Sequence, residues 1–411
     1  MIRLWLILIS SLCYLFTVTS VFADGLNQTD GALPNEEYAP PAEGTETLPA
    51  HEYFGYKDGF FIHDPESNFL LRINSFTQLR FLYSEAHNLD NYEKFQLRRM
   101  ALLFSGHLPD ESWTYVLGAL TSGEAGSFTP INTFVVKTFD KNTWLQIGLF
   151  NTPFLHETIL LTPKQLAVER SLVAKYFSTN SSIGTIFGKE NEHFKLQLSA
   201  TNGDFVYNKQ LTETGNDADN EVIFNGLSYA FLSRFEFKPF GKWQEFTDYT
   251  TPAGTSKGLL IGIAAAYQKD NNRLATEELM GTADITFQGS GWNVSSMVAV
   301  LQDQIRNYSS YGAWVQGGLF VDELRKTLEL YSRYEWGRSG QYDSILNLDE
   351  EDLRLLTTGF NYYILPKLKF TSEFGYAFTN MGGNWADPVD GWRITDETGQ
   401  WMSRSQLQLV F

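Results

Sequence analysis

The chain has 411 residues, a formal net charge of −17, 15% aromatic residues and a single cysteine, Cys13. One cysteine excludes a disulfide framework or a cysteine metal site, and the acidic balance argues against nucleic-acid binding. Beyond the N-terminal segment no apolar run is long enough for a membrane helix. A membrane crossing would therefore need strands, whose alternating faces cancel in any average of hydropathy.

The chain opens MIRLWLILISSLCYLFTVTSVFA. Arg3 supplies a charged start, Leu4 to about Val18 an apolar stretch, and Val21-Phe22-Ala23 a small-residue end, the pattern of a secretory signal peptide cut after Ala23. Cys13 falls inside it, so no cysteine is expected in the exported chain. Residues 24–66 hold ten acids and one base, Lys57. Rich in Pro, Glu, Gly and Thr, they read as a flexible acidic leader and barrel entry. Residues 67–411 form the remaining domain. Its acid concentrates in 211–221, 341–352 and 382–398, and the rest is slightly basic.

From Asn68 on, apolar and polar residues alternate with the period of β-strands. The pattern predicts sixteen: 68–83, 95–107, 111–120, 130–139, 143–150, 182–188, 193–202, 224–238, 257–268, 279–288, 291–303, 311–320, 326–337, 353–363, 367–379 and 400–411. Short connections alternate with long ones, apart from 239–256, which is long where a short one is due. Two rims of unequal loop length fit a closed antiparallel transmembrane β-barrel with both termini on the short-turn rim. The last strand, SQLQLVF, alternates up to a terminal Phe411, a pattern similar to the C-terminal signal of bacterial outer-membrane proteins. The third long connection, 151–181, carries Leu, Phe and Val throughout and has no strand period. An apolar loop of that length needs something to pack against, and the inside of a wide barrel would supply it.

Strand parity selects inward side chains. Arg72 and Arg80 oppose the apolar face of Leu71, Ile73, Leu79 and Phe81. The same argument turns Lys195, Arg234, Arg333, Lys369 and Arg404 inward. In 95–107 either Arg98 or Arg99 is inside, with Arg98 favoured because Phe95 and Leu97 share the other face. An Arg or Lys at the bilayer midplane on the lipid face costs about 2–4 kcal/mol, which makes inward placement the safe inference. Such cations either line an open lumen or brace the wall in pairs, as Arg333 would with Glu329 or Glu335. In the third loop Lys164, Glu169, Arg170 and Lys175 are the charged candidates, with Glu169 and Arg170 able to pair. Trp113, Tyr115, Trp144, Trp314, Trp336 and Trp401 lie near strand ends and suit interfacial girdles.

No HExxH, phosphate-binding glycine loop or GxSxG elbow occurs. Neither the six scattered histidines nor the acids Asp217, Asp219 and Glu221 make a metal site, and no cofactor is expected. Three stretches, YKDGFFIHDPESNFLLRINSFTQLRFLYS (56–84), FQLRRMALLFSGHLPDESWTYVLGA (95–119) and GLFNTPFLHETILLTPKQLAVERSLV (148–173), resemble the phosphate-selective porin family of the porin O and porin P type. The resemblance implies a sixteen-stranded outer-membrane barrel, usually a homotrimer, in contact with lipid and lipopolysaccharide and passing small anionic solutes by passive diffusion. It also implies a third loop folded inward as a constriction, where narrowness sets size exclusion and Lys and Arg favour anions. A weakly selective or cation-preferring pore and a non-conducting surface adhesin barrel remain the alternatives. An outer-membrane hydrolase would need a Ser–His pairing that the sequence does not display.

Overall fold

The computed structural model describes residues 53–64, 66, 68–121, 128–179, 181–202, 229–270, 276–321 and 326–411. Two short strands, β1 (Phe54–Tyr56) and β2 (Phe60–His63), precede sixteen longer ones. These are β3 (Leu70–Glu85), β4 (Tyr92–His107), β5 (Trp113–Thr121), β6 (Thr129–Asp140), β7 (Thr143–Asn151), β8 (Ser181–Glu190), β9 (Phe194–Thr201), β10 (Tyr229–Phe240), β11 (Gly258–Asp270), β12 (Thr276–Gly289), β13 (Trp292–Asp303), β14 (Tyr308–Phe320), β15 (Leu328–Ser339), β16 (Glu351–Leu365), β17 (Leu368–Ala377) and β18 (Trp401–Val410). Each pairs antiparallel with its sequence neighbours. The ring closes where β18 runs against β3, from Trp401 opposite Glu85 to Val410 opposite Phe76. Closure satisfies every strand edge, which the hydrocarbon of a membrane requires.

Side chains follow the two-residue period. In β10, Tyr229, Phe231 and Phe235 are exposed on the outer face while Leu232, Arg234 and Glu236 are buried inside. Outer-face Ile263, Val298, Val300 and Leu330 continue the apolar band around the barrel. The sixteen expected strands are present and their parity breaks at the Arg98–Arg99 pair; at the outer rim β4, β12 and β14 each start three residues earlier than the pattern predicted, and the turn between β13 and β14 shrinks to residues 304–307.

The β1–β2 hairpin was not expected. β2 pairs with the first residues of β3, Leu70–Ile73, just beyond the end of β18. Ser75 and Phe411 then exchange backbone hydrogen bonds of 2.7 and 2.9 Å, and the Phe60 and Phe411 rings meet edge-on at 6.4 Å. The terminal Phe is thus packed at the seam where the barrel closes. The acids Asp217, Asp219 and Glu221, the N-terminal segment and the leader up to residue 52 lie outside the described residues.

The interior is packed. One apolar cluster joins Phe154, Leu155, Leu166, Val173 and Phe177 of the third loop to inward residues of the wall, among them Leu232, Met297, Trp314, Tyr331 and Leu355. Trp385, Trp392 and Met381, between β17 and β18, belong to the same cluster.

Candidate functional site

Among the described residues, three segments enter the barrel. The first is residues 152–179. Pro153 and Pro163 break regular structure, leaving two short helices, α1 (His156–Ile159) and α2 (Leu172–Phe177), joined through a 3-10 turn at Thr162–Lys164. Ser171 caps α2 by accepting from the Ala174 amide at 2.9 Å. Glu157 accepts from both the amide and the hydroxyl of Ser171, each at 2.7 Å. The Arg170 guanidinium donates to the carbonyls of Glu157, Thr158 and Leu160. The loop therefore carries its own scaffold, which short elements need when no helix is long enough to be stable alone.

Wall side chains complete its backbone bonds. Asn361 donates to Leu166 O at 3.0 Å, Arg234 to Phe154 O at 3.0 Å and Arg333 to Glu169 O at 3.0 Å. Glu373 accepts from Val168 N at 3.0 Å and Glu335 from Val173 N at 3.2 Å. Lys369 reaches the carbonyls of Pro163 and Gln165. Gly312 gives the loop room, since a Cβ there would stand 2.8 Å from Phe177 and Val173.

The second segment is 378–400. Its 3-10 turn, Pro388–Asp390, ends on Gly391 in the left-handed conformation. That turn delivers Asp390 beside Glu169. Arg80 donates to Glu169 and, at 2.8 Å, to Asp390. Arg98 Nε lies 3.1 Å from Glu169 and 3.2 Å from Asp390. Arg99 holds Glu169 through two bonds of 2.7 Å, the bidentate geometry in which guanidinium–carboxylate pairs are strongest. Lys175 joins Asp387 at 2.8 Å and also Asp390. Four cations thus face three carboxylates. Burial alone opposes ionisation of Glu169, but Arg99, Arg98 and Arg80 outweigh it and hold the carboxyl well below the usual range. Asp390 is lowered in the same way: burial opposes, and Arg98, Lys175 and Arg80 prevail over the Glu169 charge.

The third segment answers the exception in the loop pattern. Residues 241–257 leave the short-turn rim, form a 3-10 turn at Trp243–Phe246 and send Tyr249 into the lumen. The Tyr249 amide donates to Lys164 O at 3.2 Å, and its carbonyl accepts from Asn293 at 2.5 Å. Its ring meets His156 at 5.9 Å and Trp314 at 6.2 Å, both edge-on. Loops from opposite rims therefore touch inside the barrel.

The expected site residues divide. Arg80, Arg234, Arg333 and Arg404 point inward, yet they are only 0–3% exposed. Arg234 is committed to Asp284 and Glu236, Arg333 to Glu335, and Arg404 to Glu373 and the Asp390 carbonyl. They brace loops against the wall instead of bordering open space. Arg72 donates to Lys57 O at 3.1 Å near the β1–β2 hairpin, and Lys195 lies near Glu190 at 3.4 Å. Both Arg98 and Arg99 reach inward, because a β-bulge opposite Gln78 and Leu79 leaves Arg98 without a partner and turns the two side chains to one face. Glu169 and Arg170 do not pair: in the irregular chain between the helices, adjacent side chains diverge. Glu329 takes Asn361 and Tyr363, not Arg333. Trp144 and Trp314 are not girdle residues, since both are buried inside. Asp390, Glu157 and Asp284 were missed. Trp385 and Trp392 within an acidic loop were the available signal for Asp390.

An open space of about 110 Å³ remains beside the third loop, bounded by β6–β11 and the 241–257 turn. Lys164, Lys195, His156 and Trp144 are on its border.

No curated protein matches the chain. Among solved structures, the fold is similar to Salmonella typhi OmpF in complex with daunomycin, at 10% identity, with 85% of this chain and 100% of that chain covered and a TM-score of 0.59. It is also similar to an anion-selective porin from Comamonas acidovorans, at 9% identity, 84% and 100% coverage and a TM-score of 0.56. A trimer form of Vibrio cholerae OmpT aligns at 11% identity, 83% and 99% coverage and a TM-score of 0.50. These likenesses establish a porin-type barrel. The family description of phosphate-selective porin O and P matches residues 72–379, most of the barrel. With its closed ring, inserted third loop and charged lumen, the chain belongs to that family and is an outer-membrane porin.

Proposed function

We propose that the chain lets small anions, phosphate among them, diffuse passively through its lumen, and that the inserted loops set the limiting width and charge. The supporting observation is the cluster around Glu169 and Asp390, where Arg80, Arg98, Arg99 and Lys175 outnumber Glu169, Asp387 and Asp390. Excess positive charge in a narrow passage lowers the barrier to anions and raises it to cations. The family description and the name of the Comamonas protein point the same way. In this reading Lys164 and Lys195 border the path, Arg72 and Lys369 contribute to its field, and Glu169, Arg170 and Lys175 hold the constriction in place. No chemical step takes place, so the protein is not an enzyme and needs no cofactor. The chain is exported with cleavage near Ala23, sits in lipid and lipopolysaccharide, and assembles as a homotrimer, as the OmpT trimer does.

The test is the reversal potential of purified protein in a planar bilayer under a potassium chloride gradient, repeated with added phosphate. Anion-selective current reduced by phosphate is expected. Cation preference would remove the anion mechanism and leave the pore. One observation favours a second reading: the lumen arginines are buried and the interior is packed, as in a closed, non-conducting barrel. Absence of current from folded protein would select it.

A further inference from the structure

The 110 Å³ space beside the third loop is more than leftover volume. Much of its lining is apolar and aromatic: Phe134, Phe150, Leu160, Ile186 and Trp243 all border it. Two residues of the lining carry a buried polar atom with no hydrogen-bond partner, Trp144 Nε1 and His156 Nε2. Both side chains are more than nine-tenths buried. The indole lies flat over Gly188, where any side chain would overlap it, so its edge is held in place.

A buried N–H without an acceptor is costly to a fold. Two unpartnered polar atoms on residues that line one apolar space fit a ligand site with a few polar groups. Charge narrows the ligand further. Lys195 and Lys164 are on the border, with Lys195 Nζ 5.6 Å over the Trp243 ring. Glu236, the one carboxylate on the border among the described residues, is engaged by Arg234 at 2.8 Å and faces His156 at 3.8 Å. The volume is of the order of the roughly 150 Å³ apolar cavity that takes up benzene. A fully hydrated inorganic anion gains nothing from these rings.

We propose that this space is a binding subsite for a small aromatic carboxylate on its way through the barrel. The ring packs among Trp144, Phe134 and Phe150. The carboxylate accepts from Trp144 Nε1–H and from Lys195, with His156 Nε2 as a further donor in the tautomer that presents its hydrogen to the space. The proposal rests on the reading that anions cross the lumen, and narrows the class of solute held there.

Benzoate is the probe, compared with acetate and phosphate, on full-length protein refolded in detergent. Equilibrium dialysis measures binding directly, and current fluctuation in planar bilayers measures residence in the path. Benzoate is expected to bind and to interrupt current at concentrations at least tenfold below acetate or phosphate. Trp144→Phe, which keeps an aromatic ring, though a smaller one, and removes the N–H, should weaken benzoate about tenfold, and Lys195→Gln by a similar factor. Heat-modifiable gel mobility verifies that each variant is folded. Equal potency of benzoate, acetate and phosphate would overturn the subsite and leave an anion path. So would benzoate binding unchanged in both variants. Benzoate binding in dialysis without any ionic current would keep the subsite and defeat the permeation reading.

Discussion

Replacing Glu169 by Gln tests whether the third loop is held by charge. Three arginines converge on this carboxylate, Arg80, Arg98 and Arg99, with Lys175 at 3.9 Å. The exchange keeps the shape and removes the charge, leaving four cations facing Asp387 and Asp390 alone. Removing one partner from a buried ion pair costs about 3–5 kcal/mol, because the remaining charge stays desolvated. At about 2 °C per kcal/mol for a domain of this size, the heat transition of the folded barrel should fall by roughly 6–10 °C. The loop should also loosen, raising single-channel conductance and anion selectivity. Adding Arg99→Gln restores the charge balance, so the double variant should recover part of the loss, and the cycle isolates the pair. The assay is the midpoint of the gel-mobility shift on heating, alongside conductance. A midpoint within about 2 °C of the parent protein, with unchanged conductance, would refute the idea that this cluster anchors the loop.

Other outcomes follow from the same geometry. The Glu169 carboxyl is held below its usual range by the arginines against the effect of burial. Its stabilisation is therefore complete above the ordinary carboxylate value of about 4 and is lost as pH falls from there through the lowered value. The gap in heat transition between the parent protein and Glu169→Gln should be constant from about pH 8 to pH 5 and narrow below about pH 4; a gap already half lost near pH 6 would contradict the assignment. Gly188→Ala would drive a methyl group into the Trp144 indole, costing about 1–3 kcal/mol and shifting tryptophan emission, so unaltered stability and emission would show that the indole does not lie on that strand. Val298 is 48% exposed on the outer face; Val298→Arg should cost about 2–4 kcal/mol if it meets lipid near the midplane, and denaturant titration of the folded barrel in vesicles reads the difference.

The barrel was legible because lipid imposes a period of two on every strand, and that pattern is local. Sixteen runs and two unequal rims follow from it directly. What parity could not resolve was the Arg98–Arg99 pair, since one extra residue in β4 breaks the alternation that parity assumes. The filling of the lumen was only partly legible. That 151–181 needs an apolar host follows from its composition, but its partners are remote: Arg80 meets Asp390 across 310 residues, and nothing local marks that meeting. The long 239–256 connection was visible as an exception. Its cause, Tyr249 reaching the loop from the opposite rim, is tertiary. Trp144 and Trp314 were misplaced for a related reason: an aromatic residue near a strand end suits a girdle or a packed interior equally, and only what occupies the lumen decides.

The wall and the filling are stabilised by different physics. The wall rests on backbone ladders that close at β18–β3 and do not depend on any one side chain. The filling rests on one apolar cluster and on buried, charge-assisted bonds at a few points: Glu169 and Asp390 at one side, Arg234 with Asp284 and the Phe154 carbonyl at another. Buried pairs are screened little by salt, so ordinary changes of ionic strength should not move the loops, whereas loss of one carboxylate should. The net excess of positive charge then has two roles. It fixes the loops that narrow the barrel, and its unbalanced part sets the field that a passing ion meets. Substitutions in the cluster should therefore change width and selectivity together, while those on the lipid face change stability alone.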